Sequence, residues 1–418
     1  MIIGIHHSLL SQTISPEGKA DPVIQLEGRW QNQYNNYFQG DFSHKGLGAT
    51  AIAQELLTLQ QKTQKNPAVL WIAANSEKLN LYLIAPGKPL IHQENPEVNQ
   101  AKLSPIIQSF LSEIVQNKPS EDYLILGKQL YDWLIAPIES ELQVNKIDTL
   151  ILCLGEGLRS LPLSALYDGK QFLIEKYSLT RIPGFNLSEI DQGKLRNAKV
   201  LAMGASKFEE QPALPGVAIE LDTILDTPWE GRSVLNQGFT VNNLNTLRQS
   251  EPFQILHLAT HASFQPGEPN QSYIQFSDRK LTLADLPELG LNQPPVELLV
   301  LSACQTAVGD KDVELGFSGL ALQAGVKSAL ASFWSVSDAG TLALMSEFYQ
   351  RLKTTLNKAD ALQQTQIAMI RRQVYLKQGE LISSRGNVTL PAILSTPQPQ
   401  DLSHPFYWAG FSLIGSPW

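Results

Sequence analysis

The sequence predicts an α/β protein built on a mostly parallel sheet that carries helices on both faces. Short apolar segments typical of buried strands alternate with amphipathic helical segments along most of the chain, as in sheets of this kind. The 418 residues are enough for two or three domains of roughly 100–200 residues each. A hydrophobic fraction of 43% and a charged fraction of 17% are typical of globular proteins, so we expect a substantial core.

The N-terminal part of the chain predicts an extension followed by a small α/β unit. Residues 1–65 combine a Gln/Asn-rich stretch at 30–39 with an amphipathic helix at 51–64 that packs on another element. The elements predicted next are a strand hairpin at 68–73 and 79–84, helices at 104–115 and 123–142, and a buried strand at 149–154. Because residues 184–197 are polar and irregular, we predict units at 1–65, 66–190 and 191–418.

Regular alternation of strands and helices follows this boundary. The predicted elements are strand 199–203, helix 218–226, strand 233–235, a helix from Val241 capped by Thr240, strands 253–259 and 297–301, helix 314–324, strand 328–333, helix 338–352 and a last strand at 407–414. Alternation at this spacing indicates a mostly parallel sheet. We find no internal repeat of 20–50 residues, so the sequence indicates no repeat array within the chain.

Charge and hydropathy argue against binding to nucleic acid or insertion into a membrane. The net charge is −8, and no run of Lys or Arg is longer than a pair such as Arg371-Arg372. No apolar run reaches the roughly 18 residues that a membrane-spanning helix needs. Residues 1–8 carry no basic residue before their apolar positions, which argues against a secretory signal.

Cysteine usage indicates a reducing, cytoplasmic setting. Only Cys153 and Cys304 are present, so neither a disulfide framework nor a Cys-rich zinc site can form. His257 and His261 are four residues apart, but they follow a strand pattern with no third ligand in sight. These residues therefore indicate no metal site, and we predict His257 and Cys153 to be core residues.

Two chemically distinctive residues follow the predicted strands at 253–259 and 297–301. His261 comes just after the first strand and Cys304 just after the second. Functional groups in open α/β sheets gather at the carboxyl ends of strands, so the two side chains face each other if the strands are neighbours. An imidazole can hold or generate a thiolate and later protonate a leaving amine, and the backbone N–H groups of Ala262 and Cys304 are candidate oxyanion donors. Spacing alone favours the alternative that Cys304 is a small packed hydrophobe, because free cysteines are among the most buried residues.

Several segments resemble the signatures of the CHAT family of caspase-like peptidases, which are often associated with tetratricopeptide repeats. The paired core signatures are residues 257–264 (HLATHASF) and 299–307 (LVLSACQTA). Supporting segments are 158–162 (LRSLP), 315–320 (LGFSGL), 331–338 (ASFWSVSD) and 404–408 (HPFYW), and the resemblance covers roughly residues 123–418. It implies a caspase-like and separase-like fold in which a His261/Cys304 dyad hydrolyses peptide bonds without a metal or an organic cofactor. Ala262 departs from the glycine that many such enzymes have after the histidine.

The resemblance also implies residues that bind the substrate. Asp338 resembles the acidic residue with which separases hold a basic side chain, and Trp334 and Glu314 are candidates to line the same cleft. Each has a structural alternative: Asp338 as a helix cap, Trp334 as core and Glu314 as a first-turn helix charge. Residues 66–190 resemble the degenerate first half of a two-part protease.

The predicted function is therefore a cysteine endopeptidase that cleaves a protein partner after a basic residue, in a regulated signalling or defence pathway. The regulation is implied by the family alone, and tetratricopeptide repeats, if relevant, would come from another chain. Two alternatives remain open from the sequence: a catalytically silent caspase-like module that binds protein partners, and a thiol acyltransferase that shares the dyad.

Overall fold

The computed structural model describes residues 21–418 except 119, 192, 194, 227–228, 307–309, 356 and 396–397, and it describes residues 303–306 by their backbone only. The predictions for residues 1–8, and for the rest of the extension before residue 21, lie outside the described residues.

Helices and strands alternate along the described chain. The helices are α1 (Pro22–Phe38), α2 (Ala49–Thr63), α3 (Gln100–Val115), α4 (Asp122–Leu134), α5 (Glu139–Val144), α6 (Leu173–Lys176), α7 (Val217–Leu225), α8 (Val241–Ser250), α9 (Lys311–Ser318), α10 (Leu320–Ala324), α11 (Asp338–Thr355), α12 (Lys358–Ile370) and α13 (Pro405–Trp408). The strands are β1 (Pro67–Ala74), β2 (Leu79–Ile84), β3 (Ile91–Asn95), β4 (Thr149–Leu154), β5 (Ser178–Ile182), β6 (Val200–Gly204), β7 (Gly231–Leu235), β8 (Ile255–Phe264), β9 (Tyr273–Gln275), β10 (Lys280–Thr282), β11 (Leu298–Thr306), β12 (Ser328–Ser332), β13 (Tyr375–Lys377), β14 (Glu380–Ser383), β15 (Gly386–Thr389), β16 (Gln400–Asp401) and β17 (Phe411–Gly415).

One large sheet runs through the molecule in the order β10-β9-β8-β11-β12-β17-β5-β4-β1-β2-β3, and β6 and β7 join it beside β8. The strands from β7 through β6, β8 and β11 to β12 are parallel, and so are β17, β5, β4 and β1. The remaining pairs of this sheet are antiparallel, including the β1–β2 hairpin. The predicted α/β class with a mostly parallel sheet is confirmed.

The last strand of the described chain joins the two halves of this sheet. β17 is antiparallel to β12 on one side and parallel to β5 on the other. Ile414 is the register partner of Arg181, and the Thr180 hydroxyl donates to the Gly415 carbonyl oxygen at 2.7 Å. The sheet is therefore continuous across the boundary predicted near residue 190, and the division of the chain into units stays a prediction.

The predicted extension is an integral part of the core. Aromatic residues recur at four-residue spacing in the Gln/Asn-rich stretch, at Trp30, Tyr34 and Phe38, and this period makes it one side of α1. They pack with Trp71 and with Cys153, which is fully buried as predicted. Helices α1 and α2 thus cover the N-terminal half of the sheet.

A buried carboxylate fixes α1 to this half. The side chain of Glu27 is completely buried and accepts from the indole N–H of Trp71 at 2.7 Å. It also accepts from the backbone N–H groups of Phe185 and Asn186 at 2.6 and 2.9 Å, and from the Asn186 amide at 2.6 Å. Because the indole and the two backbone N–H groups lie inside the core, they depend on Glu27 for their acceptor, whereas the Asn186 amide also donates to the Leu47 carbonyl oxygen at 3.1 Å.

Two predicted helices are broken in the structure. The helix predicted at 123–142 divides into α4 and α5 around Pro137, whose ring prevents continuous helical hydrogen bonding. The helix predicted at 314–324 begins earlier, at Lys311, and divides into α9 and α10 at Gly319. Phe38 of α1 lies so close to Gly319 that a Cβ there would be only 2.5 Å from its ring, so the break is also a site of tight packing.

Among the described residues, no helix combines the length and apolar character needed to cross a membrane. The same residues contain no group of three or more His, Cys, Asp or Glu side chains arranged to hold a metal ion.

Candidate active site

The two strands that carry His261 and Cys304 are neighbours and run in parallel. Ala303 is the register partner of His261, and Cys304 is the register partner of Ala262. The backbones of residues 261 and 304 are therefore one residue out of step on adjacent strands, whose spacing is about 4.8 Å. The condition on which the dyad prediction depended, that the strands be neighbours, is met by the backbone, whereas the Cys304 side chain lies outside the described part of the structure.

The strands are longer than the sequence indicates, and this changes the local setting of both residues. The predicted strands end at 259 and 301, but β8 continues to Phe264 and β11 to Thr306. A register shift between Leu301 and Ala303 sets the extension apart, because Ala259 and Thr260 of β8 lie opposite the single residue Ser302 of β11. His261, Ala262 and Cys304 lie in this extension and not in the tight loops expected beyond the strand ends.

His261 is held by a loop that the sequence analysis did not single out. Its Nε2 lies 2.8 Å from the carbonyl oxygen of Pro212, and its ring makes an edge contact with Phe208 at 4.7 Å between centroids. Since a carbonyl can only accept, we assign the proton to Nε2. Nδ1 then keeps its lone pair and is the ring nitrogen available as a base.

The loop formed by residues 205–216 follows β6 and is closed at its base. The Leu214 N–H donates to the Ser206 carbonyl oxygen at 3.1 Å, and the Ser206 hydroxyl donates to the Asn236 side-chain oxygen at 3.1 Å. The rule that predicted His261, that functional groups follow the carboxyl ends of parallel strands, applies equally to this loop. Its proline-rich, acidic sequence after β6 was the signal that could have found it.

Asp338 joins the start of α11 to this loop. Its carboxylate accepts from the Gly216 N–H at 2.6 Å, and burial raises its pKa to about 6 despite that hydrogen bond, with nearby Glu220 raising it further. The predicted capping role belongs to its neighbour, because the Ser337 hydroxyl accepts from the Gly340 N–H at 3.2 Å. Asp338 is half-buried and contacts the same loop that holds His261.

Beneath this site lies a fully buried polar cluster. His257 is completely buried, with Nδ1 3.1 Å from the Tyr349 hydroxyl, and the prediction of a core histidine is confirmed. Its Nε2 is 3.0 Å from a Glu220 oxygen, although these two atoms lack the alignment of a hydrogen bond. Glu220, which the sequence analysis missed, therefore couples the cluster electrostatically to Asp338.

Glu314 is enclosed and faces the N-terminal half of the protein. Its carboxylate accepts from the Gly157 N–H at 2.9 Å and from the Ser160 hydroxyl at 2.8 Å. Burial raises its pKa, with these hydrogen bonds and nearby Arg159 opposing the shift. This placement favours a structural role over the predicted role in a substrate cleft: Glu314 fixes α9, the helix that follows the segment of Cys304.

Trp334 and Ala262 are also largely enclosed. The Trp334 side chain is 4% exposed, and its indole N–H donates to the Phe406 carbonyl oxygen at 2.9 Å. This contact favours the alternative of a core aromatic over a pocket wall. Ala262 is buried and paired with Cys304 on one side and Ile274 on the other, so its N–H as an oxyanion donor stays a prediction.

The sheet and its helices place the chain in the caspase-like class of α/β folds. The CHAT domain matches residues 124–416, well over half of the 418 residues. The chain belongs to the CHAT domain family. A search of curated proteins found no match.

Solved structures share the fold at low sequence identity. A chain of the Saccharomyces cerevisiae separase–securin complex at 3.0 Å resolution matches with a TM-score of 0.53 and 10% identity, over 88% of this chain and 31% of that chain. The structure of the same complex at 2.6 Å gives a TM-score of 0.47 and 12% identity over the same shares. The complex of Porphyromonas gingivalis RgpB pro- and mature domains gives 0.39 and 9%, over 74% of this chain and 71% of that chain. This chain thus spans under a third of the separase–securin chain that it matches.

Proposed function

We propose that this protein is a cysteine endopeptidase in which His261 and Cys304 form the catalytic dyad. The observation that carries the proposal is the Nε2 contact of His261 with the Pro212 carbonyl oxygen, on a strand adjacent to that of Cys304. This contact orients the ring and leaves Nδ1 as the base, as nucleophilic thiol catalysis requires. Membership of the CHAT family supports the same reaction.

The chemistry follows from these roles. Nδ1 of His261 takes the proton of the Cys304 thiol, and the thiolate attacks the carbonyl carbon of the scissile bond. The oxyanion is stabilised by backbone N–H groups, for which Ala262 and Cys304 are the candidates. The imidazolium then protonates the leaving amine as the C–N bond breaks, and water activated by Nδ1 hydrolyses the thioester to release the acid.

Asp338 is the proposed recognition group for a basic side chain before the scissile bond. Its half-buried carboxylate is ionised above a pH of about 6 and pairs well with Arg or Lys. Fluorogenic peptides ending in Arg, Lys, Asp or Leu test this preference, with Asp338→Asn expected to raise KM for Arg and Lys alone. Asp222→Asn is the matched control, because Asp222 is exposed on α7. Equal turnover of all four substrates contradicts the assignment.

The proposal also covers the cellular role of the protein and its partners. The CHAT resemblance supports cleavage of a protein partner in a regulated signalling or defence pathway, with any tetratricopeptide repeats supplied by another chain, and the cysteine usage supports a cytoplasmic setting. The Saccharomyces cerevisiae structures are of a separase–securin complex, and a regulatory protein partner is likewise proposed for this chain.

Thiol reactivity and proteomics test the dyad together. Cys153 is fully buried, and burial raises its pKa well above the ordinary range, so Cys153→Ala gives a background in which alkylation reports on Cys304. We expect iodoacetamide to react well below pH 8 and His261→Ala to slow that reaction. Proteome-wide identification of new N-termini should yield cleavage sites with the wild type and none with Cys304→Ala. Identical N-termini in both samples would instead support the silent binding module.

A further inference from the structure

An open cleft of about 680 Å³ lies beside Phe208, the aromatic neighbour of His261. Three segments line it: residues 207–211 after β6, residues 235–237 at the end of β7, and residues 275–277 at the end of β9. Phe208 belongs both to the lining of the cleft and to the aromatic contact with the His261 ring. The cleft is therefore separated from the ring of the proposed base only by the Phe208 side chain.

The order of the strands places this cleft on the leaving-group side of the dyad. β8 lies between β11, which carries Cys304, and the strands β6 and β9, whose following segments line the cleft. A base that protonates the leaving amine must lie beside it, so the peptide after the scissile bond passes on the His261 side. Crossing two strand spacings takes roughly 10 Å, the length of about three extended residues. The cleft is thus within reach of the second to fourth residues after the cut.

The walls of the cleft combine acidic, aromatic and amide groups. Exposed Glu209 and Glu210 outnumber the one basic side chain of the lining, Lys207. Phe208 and Leu235 add apolar surface, and Leu235 is 37% exposed, which is uncommon for a large apolar side chain of this protein. An arginine side chain matches all of these features, since it has an apolar stem, stacks on aromatic rings and forms bidentate pairs with carboxylates.

The cleft is held open by hydrogen bonds that do not involve a ligand. Asn236 accepts from both the N–H and the hydroxyl of Ser206, at 2.9 and 3.1 Å, and so fixes one wall to another. The Ser277 hydroxyl donates to the Asn236 carbonyl oxygen at 2.7 Å, which adds the third wall. The Gln211 amide donates to the Tyr273 hydroxyl at 3.2 Å. A preformed cleft loses little conformational entropy when it binds a peptide.

We infer that this cleft binds a basic side chain, arginine foremost, at the second to fourth position after the scissile bond. The inference rests on the proposed endopeptidase function and adds a second specificity site to it. It is separate from the role of Asp338, which concerns the residue before the scissile bond.

Quenched peptides with a constant segment before the cut test this inference. Each of the first four positions after the cut carries Arg, Leu or Glu in turn, and kcat/KM is measured for each peptide. We expect about a tenfold preference for Arg over Glu at one of positions two to four, the size of one charge-assisted contact. Glu209→Gln with Glu210→Gln should abolish it. Glu77→Gln with Glu97→Gln removes the same charge from exposed residues on the β1–β3 side of the sheet and should leave it unchanged.

A binding assay separates failure of the cleft from failure of the enzyme. Fluorescence anisotropy measures the affinity of labelled leaving-segment peptides for Cys304→Ala, with and without the Glu209/Glu210 substitutions. Tighter binding of Arg peptides that is lost with those substitutions supports the cleft even if no peptide is cleaved, in which case only the endopeptidase proposal falls. Equal binding of Arg and Glu peptides, or a preference that survives the substitutions, overturns the inference.

Discussion

Replacing Asp338 by Asn should stabilise the protein at neutral pH, even though Asp338 is a candidate functional residue. The carboxylate accepts a hydrogen bond from Gly216 at 2.6 Å, and the side-chain oxygen of Asn can accept the same bond. What the substitution removes is a negative charge that is partly buried and lies near Glu220. The substitution thus keeps the side-chain shape and the hydrogen bond, and it removes the unfavourable free energy of burying a negative charge near Glu220.

The raised pKa of Asp338 gives the sign and size of this effect. Its pKa rises from 3.8 to about 6 on folding, which corresponds to at most about 3 kcal/mol of disfavoured ionisation. Because the group is half-buried and partly solvated, we expect about 1–2 kcal/mol. With Asp338 protonated, below pH 3.8, the fold carries no penalty for a buried charge, and this stability is lost as the pH rises through about 6. The gain from Asp338→Asn should therefore be present at pH 8 and absent near pH 4.

Thermal unfolding measured across this pH range tests the reasoning. A gain of about 1–2 kcal/mol should raise Tm by a few degrees at pH 8, since large domains shift by roughly 2–4 °C per kcal/mol or less. Asp222→Asn is the control for a lost charge at an exposed site on the neighbouring helix. A Tm difference between Asp338→Asn and wild type that does not change between pH 4.5 and pH 8 would refute the link to ionisation.

Three further substitutions test other parts of the structure. Glu27→Ala leaves the Trp71 indole and two backbone N–H groups buried without an acceptor. Urea unfolding should therefore show a free energy of unfolding that is about 3–5 kcal/mol lower than in the wild type. A decrease below about 1 kcal/mol would contradict this. Glu314→Gln should slow alkylation of Cys304 by loosening α9, whereas an unchanged rate excludes that coupling. Burial lowers the pKa of His404, so the neutral ring stabilises the fold above the unfolded pKa of about 6.5, and this stability is lost as the pH falls through the lower folded pKa. The Tm of His404→Asn should therefore fall less than that of the wild type between pH 7 and pH 5. An equal fall in both proteins would contradict this role of His404.

Strands of continuous apolar character were predictable from the sequence because their burial is nearly complete. The strand at 149–154 is found with those bounds, and the hairpin of β1 and β2 is confirmed. The cap of α8 is also confirmed, since the Thr240 hydroxyl accepts from the Asn243 N–H at 3.1 Å. In each case the deciding signal lies within a few residues of sequence.

Long-range contacts explain what the sequence did not reveal. The extension of β8 beyond residue 259 depends on pairing with β9 and β11, and nothing in the local pattern of Thr260 and His261 requires a strand. The Pro212 contact that orients His261 joins residues 49 apart in sequence. Glu314 looks like a first-turn helix charge until Ser160, 154 residues earlier, supplies its partner. The dyad was predicted from the strand ends and from the family signatures, whereas the adjacency of its two strands became visible only in the structure.

The small sheet of β13 to β16 was not predicted either. Its strands are two to four residues long and lie within a polar stretch that contains glycine. Apolar and polar residues alternate there over too few positions to predict a strand. Arg385 ties it to α7 by pairing with Asp226 at 2.9 Å. An insertion of this kind is defined by its docking contacts and not by its own propensities.

The central position of β17 has a consequence for biosynthesis. A ribosome completes β5 and β12 before it makes the strand that must lie between them, so each half of the emerging protein waits with one inner edge unpaired. Open strand edges invite pairing with other chains, and contacts between distant segments form slowly. Assembly of this sheet therefore requires β17 to insert between β5 and β12, and until it does so each half of the sheet exposes one unpaired strand edge.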